Sequence, residues 1–293
     1  MCLGFAAALA QEPLQQPRAD VYSLSGAYTD DDAYAVQLGA DWAAGGSTHI
    51  HLDAANGVSP STVGDITVYR GRFGVDYASK SVGIDLSYEY WGDPGVLDTH
   101  AGLGELYWHS AATRVAAQFQ QRRITLHYEV PDAARGFIDD AQRLGSTAFG
   151  LTARHSFSRV KLRANAIDYR YSEPIGEVNV TRVPAANRET LLAIVDRTVA
   201  RTRVLSASSL TLANGLLDNA VGAGIETEVG QSALDIEATR ERAQVDGLVI
   251  GTLSIGWIAP MGDRGDIEYR IGASRAQELG TIVFATISLW FYR

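Results

Sequence analysis

The chain has 293 residues, of which 46% are hydrophobic and 20% charged, a balance that excludes both a disordered chain and a bundle of membrane helices. No apolar run approaches the ~20 residues a spanning helix needs, whereas spanning strands need only about 9–11. A formal net charge of −9 excludes the basic surface of a nucleic-acid-binding protein, and the single cysteine, Cys2, excludes an internal disulfide and a cysteine-built zinc cluster.

Residues 1–10, MCLGFAAALA, read as a signal-peptide remnant, because an apolar stretch ends in small residues just before the polar QEPLQQP. Residues 11–19 form a short N-terminal segment, and residues 20–293 read as a single domain without a linker. Within it the apolar period is 2 almost throughout, the spacing of half-buried strands. At 21–28, Tyr22, Leu24 and Tyr28 alternate with Ser23 and Ser25. At 33–42, Tyr34, Val36, Leu38 and Trp42 alternate with Gln37 and Asp41, and in THIHLDA Ile50 and Leu52 alternate with His49, His51 and Asp53. Residues 66–77 set Tyr69, Phe73, Val75 and Tyr77 against Arg70, Arg72 and Asp76. Residues 82–91 set Val82, Ile84, Leu86, Tyr88 and Tyr90 against Asp85, Ser87 and Glu89, and the ASKS between them suits a hairpin turn.

Further strands are expected at 101–109 and 114–130. The second changes phase around 121–123, so it is either one bulged strand or two. Residues 131–146 read as a polar loop long enough to fold inward. At 147–157, Phe149 and Leu151 oppose Thr152 and Arg154, and 160–171 drifts in phase near Ala166, which suggests a bulge. Strands at 175–184 and 202–213 flank a helical pattern at 187–200, with Asn187 as its cap. Then Val221, Ile225 and Val229 oppose Glu226 and Glu228; Leu234 and Ile236 oppose Asp235 and Glu237; and a strand at 247–259 precedes Ile267, Tyr269 and Ile271 opposing Asp266, Glu268 and Arg270. The chain ends GTIVFATISLWFYR, with Val283, Ala285, Ile287, Leu289 and Phe291 on one face. The count is about sixteen strands, with about 14–16 defensible.

Short connections alternate with long ones, the pattern of a transmembrane barrel with tight turns on one rim and longer loops on the other. The expected fold is therefore all-β: a closed antiparallel transmembrane meander β-barrel in which the last strand pairs with residues 21–28. Seven aromatics near strand ends, Tyr28, Trp42, Tyr77, Tyr90, Trp257, Trp290 and Tyr292, are expected as membrane-interface anchors. The apolar faces carry almost no charge, as lipid demands, since Arg or Lys costs about 2–4 kcal/mol at the bilayer midplane. A protein core is equally strict, so a soluble secreted β-fold is the alternative.

A barrel of this size leaves an aqueous lumen. Basic Arg70, Arg72, Arg154, Lys161 and Arg163 are expected to line it from the first part of the chain, and acidic Glu226, Glu228, Asp235, Glu237, Asp266 and Glu268 from the last part, as opposed walls. Such charges set ion selectivity. His49, His51 and Asp53 share a face and form a candidate metal half-site, but no second His pair or cysteine completes it. His109, His127 and His155 are candidate hydrolase residues, without a G-x-S-x-G nucleophile motif. No catalytic residue, metal or cofactor is therefore expected.

The export-like N-terminus, the even strand count and the terminal IVFATISLWFY make the chain resemble Gram-negative outer-membrane β-barrels, broadly porin-like ones. The resemblance covers residues 20–293 and is architectural; Arg293 departs from the family's aromatic last residue. It implies an outer-membrane channel, not an enzyme, for passive diffusion of small hydrophilic solutes or ions. The implied partners are the lipid bilayer, the solutes, the barrel-assembly machinery and further copies in a homo-oligomer. The alternatives are an outer-membrane hydrolase, or a structural or surface-interaction barrel without an open pore.

Overall fold

The computed structural model describes residues 20–59, 66–93, 97–132, 136–172, 216–244, 247–276 and 280–293. Fourteen strands run through them: β1 Val21–Thr29, β2 Tyr34–Gly45, β3 Thr48–Ser59, β4 Ile66–Ala78, β5 Val82–Asp93, β6 Leu97–His109, β7 Thr113–Asp132, β8 Gly136–Phe157, β9 Val160–Tyr171, β10 Leu217–Val229, β11 Ser232–Ala243, β12 Val249–Pro260, β13 Gly265–Ala276 and β14 Gly280–Tyr292. Each pairs antiparallel with its neighbour in sequence, and β1 pairs with β14 to close the barrel. The closing register runs from Val21 opposite Tyr292 to Thr29 opposite Phe284. Arg293 extends it, exchanging backbone hydrogen bonds with Asp20 at 2.9 and 3.1 Å.

The strands 175–184 and 202–213 and the helix 187–200, read from the sequence, lie outside the described residues. They account for the difference between sixteen and fourteen. Two further expectations are corrected. Residues 113–132 and 136–155 pair without a break, so β7 is one continuous strand, and the supposed inward loop 131–146 is the top of a tall hairpin. Backbone groups committed to a ladder are not available to fold into the interior. The phase drift near Ala166 is not a bulge either: β9 keeps an unbroken register with β8 and β10.

The connections at 46–47, 79–81, 110–112, 158–159, 230–231 and 261–264 fall on one rim, together with both strand ends of the seam. The strand ends at the remaining connections, the longest of which in sequence separates Tyr171 from Leu217, fall on the other rim. The two-residue turns begin with a positive φ, 46° at Ser158 and 68° at Gly230, the backbone twist that tight hairpins require.

Side chains alternate strictly between two environments. One face exposes large apolar groups: Leu38 is 56% exposed, Leu106 64%, Leu151 63% and Ile271 65%. The opposite face holds the buried charges. Among the described residues the hydrogen bonds between next-but-one strands lie on that second face, as the concave side of a closed sheet allows, so the charges point inward and the apolar wall points out. The outward wall is too large and continuous to be left in water by a soluble protein. Replacing Ile287, in the middle of the outward face of β14, with Arg is expected to cost about 2–4 kcal/mol of folding stability in lipid vesicles, against about 0–1 for the same change at Thr281 near the rim. Urea titration of vesicle-folded protein measures both; equal costs would contradict the assignment of that face to lipid.

Candidate functional site

The inward face is where chemistry-bearing groups gather, and glycine decides how they pack. Gly224 of β10 lies opposite Arg163 of β9 on one side and Glu237 of β11 on the other. A Cβ on Gly224 would come within 2.5 Å of Arg163 Nε. Because none is there, Arg163 lies flat across β10, and its Nη2 donates to Asp235 at 2.8 Å and Glu237 at 3.0 Å on β11. Gly256 does the same from the other side. It sits between Asp235 of β11 and Arg270 of β13, and a Cβ on it would meet Glu268 Oε1 at 2.5 Å. Arg270 crosses it to donate to Asp235, while its Nε donates to Glu268 at 2.8 Å and its Nη1 to Ser254 at 2.9 Å.

The device recurs on the other side of the barrel. Tyr107 of β6 passes over Gly83 of β5, where a Cβ would collide with its ring, and donates to Asp76 of β4 at 2.8 Å. His51 of β3 passes over Gly74 of β4 towards Asp85 of β5, 3.5 Å away. Charged groups thus lie along the wall rather than across the interior. Between adjacent strands the pairs are simpler: Arg70 Nε to Glu89 at 2.9 Å, Arg72 Nη2 to Asp85 at 3.5 Å, Arg114 Nη2 to Glu105 at 2.7 Å and Lys161 Nζ to Glu226 at 2.6 Å.

All eleven charged residues singled out from the sequence sit at inward register positions. They do not form a basic wall facing an acidic wall. Lys161 and Arg163 on β9 adjoin the acidic β10 and β11, so the two sets interleave, and opposite charges meet as neighbours. Arg154 lies in register with Arg114 and Arg163. Asp266 accepts from Tyr292 Oη at 2.8 Å. Glu228 is exposed at the end of β10.

Of the aromatics, Tyr28, Tyr77 and Trp257 are 53%, 51% and 40% exposed on the outward face. Trp42 is outward too and donates to Tyr22 Oη at 3.2 Å, and Tyr90 donates to Asp98 at 2.8 Å. Trp290 and Tyr292 are a correction. They alternate with Leu289 and Phe291, which places them inward, and Trp290 is only 5% exposed. Strand parity overrides the terminal position that made them look like interface anchors.

Arg270, the hub of the largest cluster, escaped the sequence-based selection although it shares the face of Asp266 and Glu268. The residues that make the cluster possible, Gly224 and Gly256, carry no chemical signal at all. The histidines scatter. His49 bonds Asp41 at 2.7 Å, His109 the Ser79 carbonyl at 3.0 Å, His155 the Thr113 hydroxyl at 2.7 Å and His127 Asp98 at 2.9 Å on the opposite rim. Among the described residues no group of three His, Cys, Asp or Glu gathers as a metal site.

The inward face is also graded along the barrel. Towards the short-turn rim it is mostly polar and holds most of the inward charges. Towards the other rim it is mostly apolar, with Trp91, Leu97, Ile124, Leu144, Leu217 and Ile250 all at most 4% exposed. Replacing Gly256 with Val is expected to displace Arg270 and destabilise the barrel by about 1–3 kcal/mol, the usual cost of overpacking. Gly71→Val, on the outward face with nothing within 4 Å of the new Cβ, is expected to be close to neutral. The midpoint of heat-modifiable gel mobility compares the two.

No family model matches the sequence, and no curated protein does. Solved structures do. The chain is similar to a structure described as the CymD monoaromatic hydrocarbon channel, with a TM-score of 0.57 and 11% identity over 98% of this chain and 92% of that one. It is also similar to an anion-selective porin from Comamonas acidovorans, with a TM-score of 0.50 and 9% identity over 94% and 98% of the two chains. At such identities the likeness is one of fold: a closed antiparallel barrel, porin-like, of the kind that outer-membrane channels share.

Proposed function

We propose that this chain is an outer-membrane channel through which small hydrophilic solutes or ions diffuse. The observation that carries the reading is that the inward charges lie flat over glycine troughs. With strands about 4.8 Å apart and tilted about 40°, fourteen of them enclose a backbone cylinder roughly 28 Å across. Side chains that extended straight inward would fill much of it; side chains folded along the wall leave a wet passage. Acidic groups outnumber basic ones on the inward face of the described residues, which favours cations over anions.

A second reading has its own support. A likeness in fold to a channel described as one for monoaromatic hydrocarbons favours solutes with an aromatic ring. Swelling of protein-containing liposomes in small sugars, against uptake of a neutral aromatic, separates the two.

Purified protein in planar bilayers is expected to give discrete conductance steps and, in a KCl gradient, a reversal potential of cation-selective sign. Glu228→Lys, at an exposed inward position, is expected to move that potential towards the anion side without changing gel mobility. Absence of any conductance step would sink the channel reading.

A further inference from the structure

The outward wall is apolar over most of its height, and its charges are placed unevenly. The strand arginines that face outward, Arg123, Arg143, Arg170, Arg240, Arg242 and Arg275, all stand in the half nearer the long-connection rim. Two of them belong to the tall β7–β8 hairpin. Arg123 of β7 lies opposite Gly145 of β8, and Arg143, two residues further up β8, lies opposite Thr125. Both arginines are exposed, and neither forms an ion pair among the described residues. A Cβ on Gly145 would meet nothing closer than Ser172 Oγ at 3.8 Å, so the ground between the two side chains is flat. The carboxylates nearby are engaged elsewhere: Asp98 is held by Tyr90 Oη at 2.8 Å and His127 Nε2 at 2.9 Å, and Asp168 stands 3.8 Å from Arg170.

The height of this pair decides what it can meet. Trp108 and Phe157, 48% and 54% exposed at the short-turn ends of β6 and β8, mark one edge of the apolar band. At about 3.3 Å per residue and a tilt of about 40°, Arg123 stands roughly 25 Å along the barrel axis from the start of β7, and Arg143 roughly 35 Å from the end of β8. The apolar band of such a barrel is about 25 Å tall. The backbone of Arg123 is therefore level with the far edge of the band, and that of Arg143 stands roughly 10 Å beyond it. The headgroup layer runs between them, and the side chain of Arg123 reaches up into it. Two outward rows below Arg123, Phe119 and Phe149 face each other with ring centroids 5.3 Å apart, and the exposed Leu106 and Leu151 lie beneath them. The long-connection rim faces outside in barrels of this kind.

We propose that Arg123 and Arg143 hold the phosphate of an anionic outer-leaflet lipid over Gly145. Their backbones are roughly 8 Å apart, one strand spacing across and two residues along, so both guanidinium groups can converge on one tetrahedral anion. Guanidinium suits phosphate because its fork of N–H donors binds two oxygens at once. Gly145 leaves room for the headgroup, and the Phe119–Phe149 pair with the leucines beneath it receives the acyl chains. The proposal rests on the outer-membrane reading but not on the pore being open.

The test uses the full chain in nonionic detergent, mixed separately with lipid A, phosphatidylethanolamine or inorganic phosphate, with bound molecules counted by native mass spectrometry. The wild type is expected to retain lipid A, and neither of the others. R123Q/R143Q is expected to lose that retention roughly tenfold or more, as is Gly145→Trp, which keeps both charges and fills the space between them. R240Q/R275Q, which removes outward arginines from β11 and β13 instead, is expected to keep it. Unchanged heat-modifiable gel mobility identifies the variants that still fold. Equal retention of lipid A by the wild type and by folded R123Q/R143Q overturns the proposal. So does an equal loss in R240Q/R275Q, which would make the attraction one of diffuse charge, and so does binding of inorganic phosphate in place of the lipid. Lipid retention by a protein that shows no conductance would leave the lipid site standing and remove only the channel; conductance without retention would do the reverse.

Discussion

Every peptide group that crosses hydrocarbon needs a hydrogen-bond partner within the protein, and a sheet meets that demand only by having no edge. The pairing of β1 with β14 is what removes the edge here. The rest follows from it. Once the sheet closes, period-2 alternation becomes an inside and an outside, and each residue's parity fixes which solvent it meets. Trp290 and Tyr292 show how firm the rule is: they lie at the end of β14, where interfacial aromatics are common, yet parity turns them inward.

Closure also shapes the interior. On a concave wall, side chains two strands apart approach each other, but the strand between them stands in the way. Glycine removes the obstacle. Arg163 over Gly224, Arg270 over Gly256, Tyr107 over Gly83 and His51 over Gly74 all bridge a strand in this manner. The result is a wall whose charges are largely matched by neighbours, lying close to the backbone rather than projecting into the centre. Their low exposure reflects that posture.

Much of the fold was legible because strand alternation is local. The faces of 66–77, 82–91 and 280–293 can be assigned from a dozen residues each, and the seam follows from an even number of strands. Pairing of charges was not legible, because it depends on register. Nothing in the sequence says that Glu237 and Arg163 share a row through Gly224. The expected opposed walls failed for the same reason: distance along the chain is not distance around the barrel, and β9 is next to β10 however long the connection between them. The tall β7–β8 hairpin was misread because its polar top looks like loop composition. Such residues stand in a ladder that rises well beyond the shorter strands on either flank, 20 and 22 residues against 13 in β6 and 12 in β9.

Asp20 and Arg293 are hydrogen-bonded neighbours on the short-turn rim. The two ends of the described chain therefore meet, and thirteen of the fourteen strand junctions are between consecutive strands. The barrel is in effect a ring of hairpins with one joint between strands that are not consecutive. Joining the ends through a short linker and opening the two-residue turn at 230–231 would keep every contact of the ring while handing the task of final closure to β10 and β11. In such a circular permutant, the strand that waits longest for its partner would be one rich in glutamate and glycine rather than in aromatic residues.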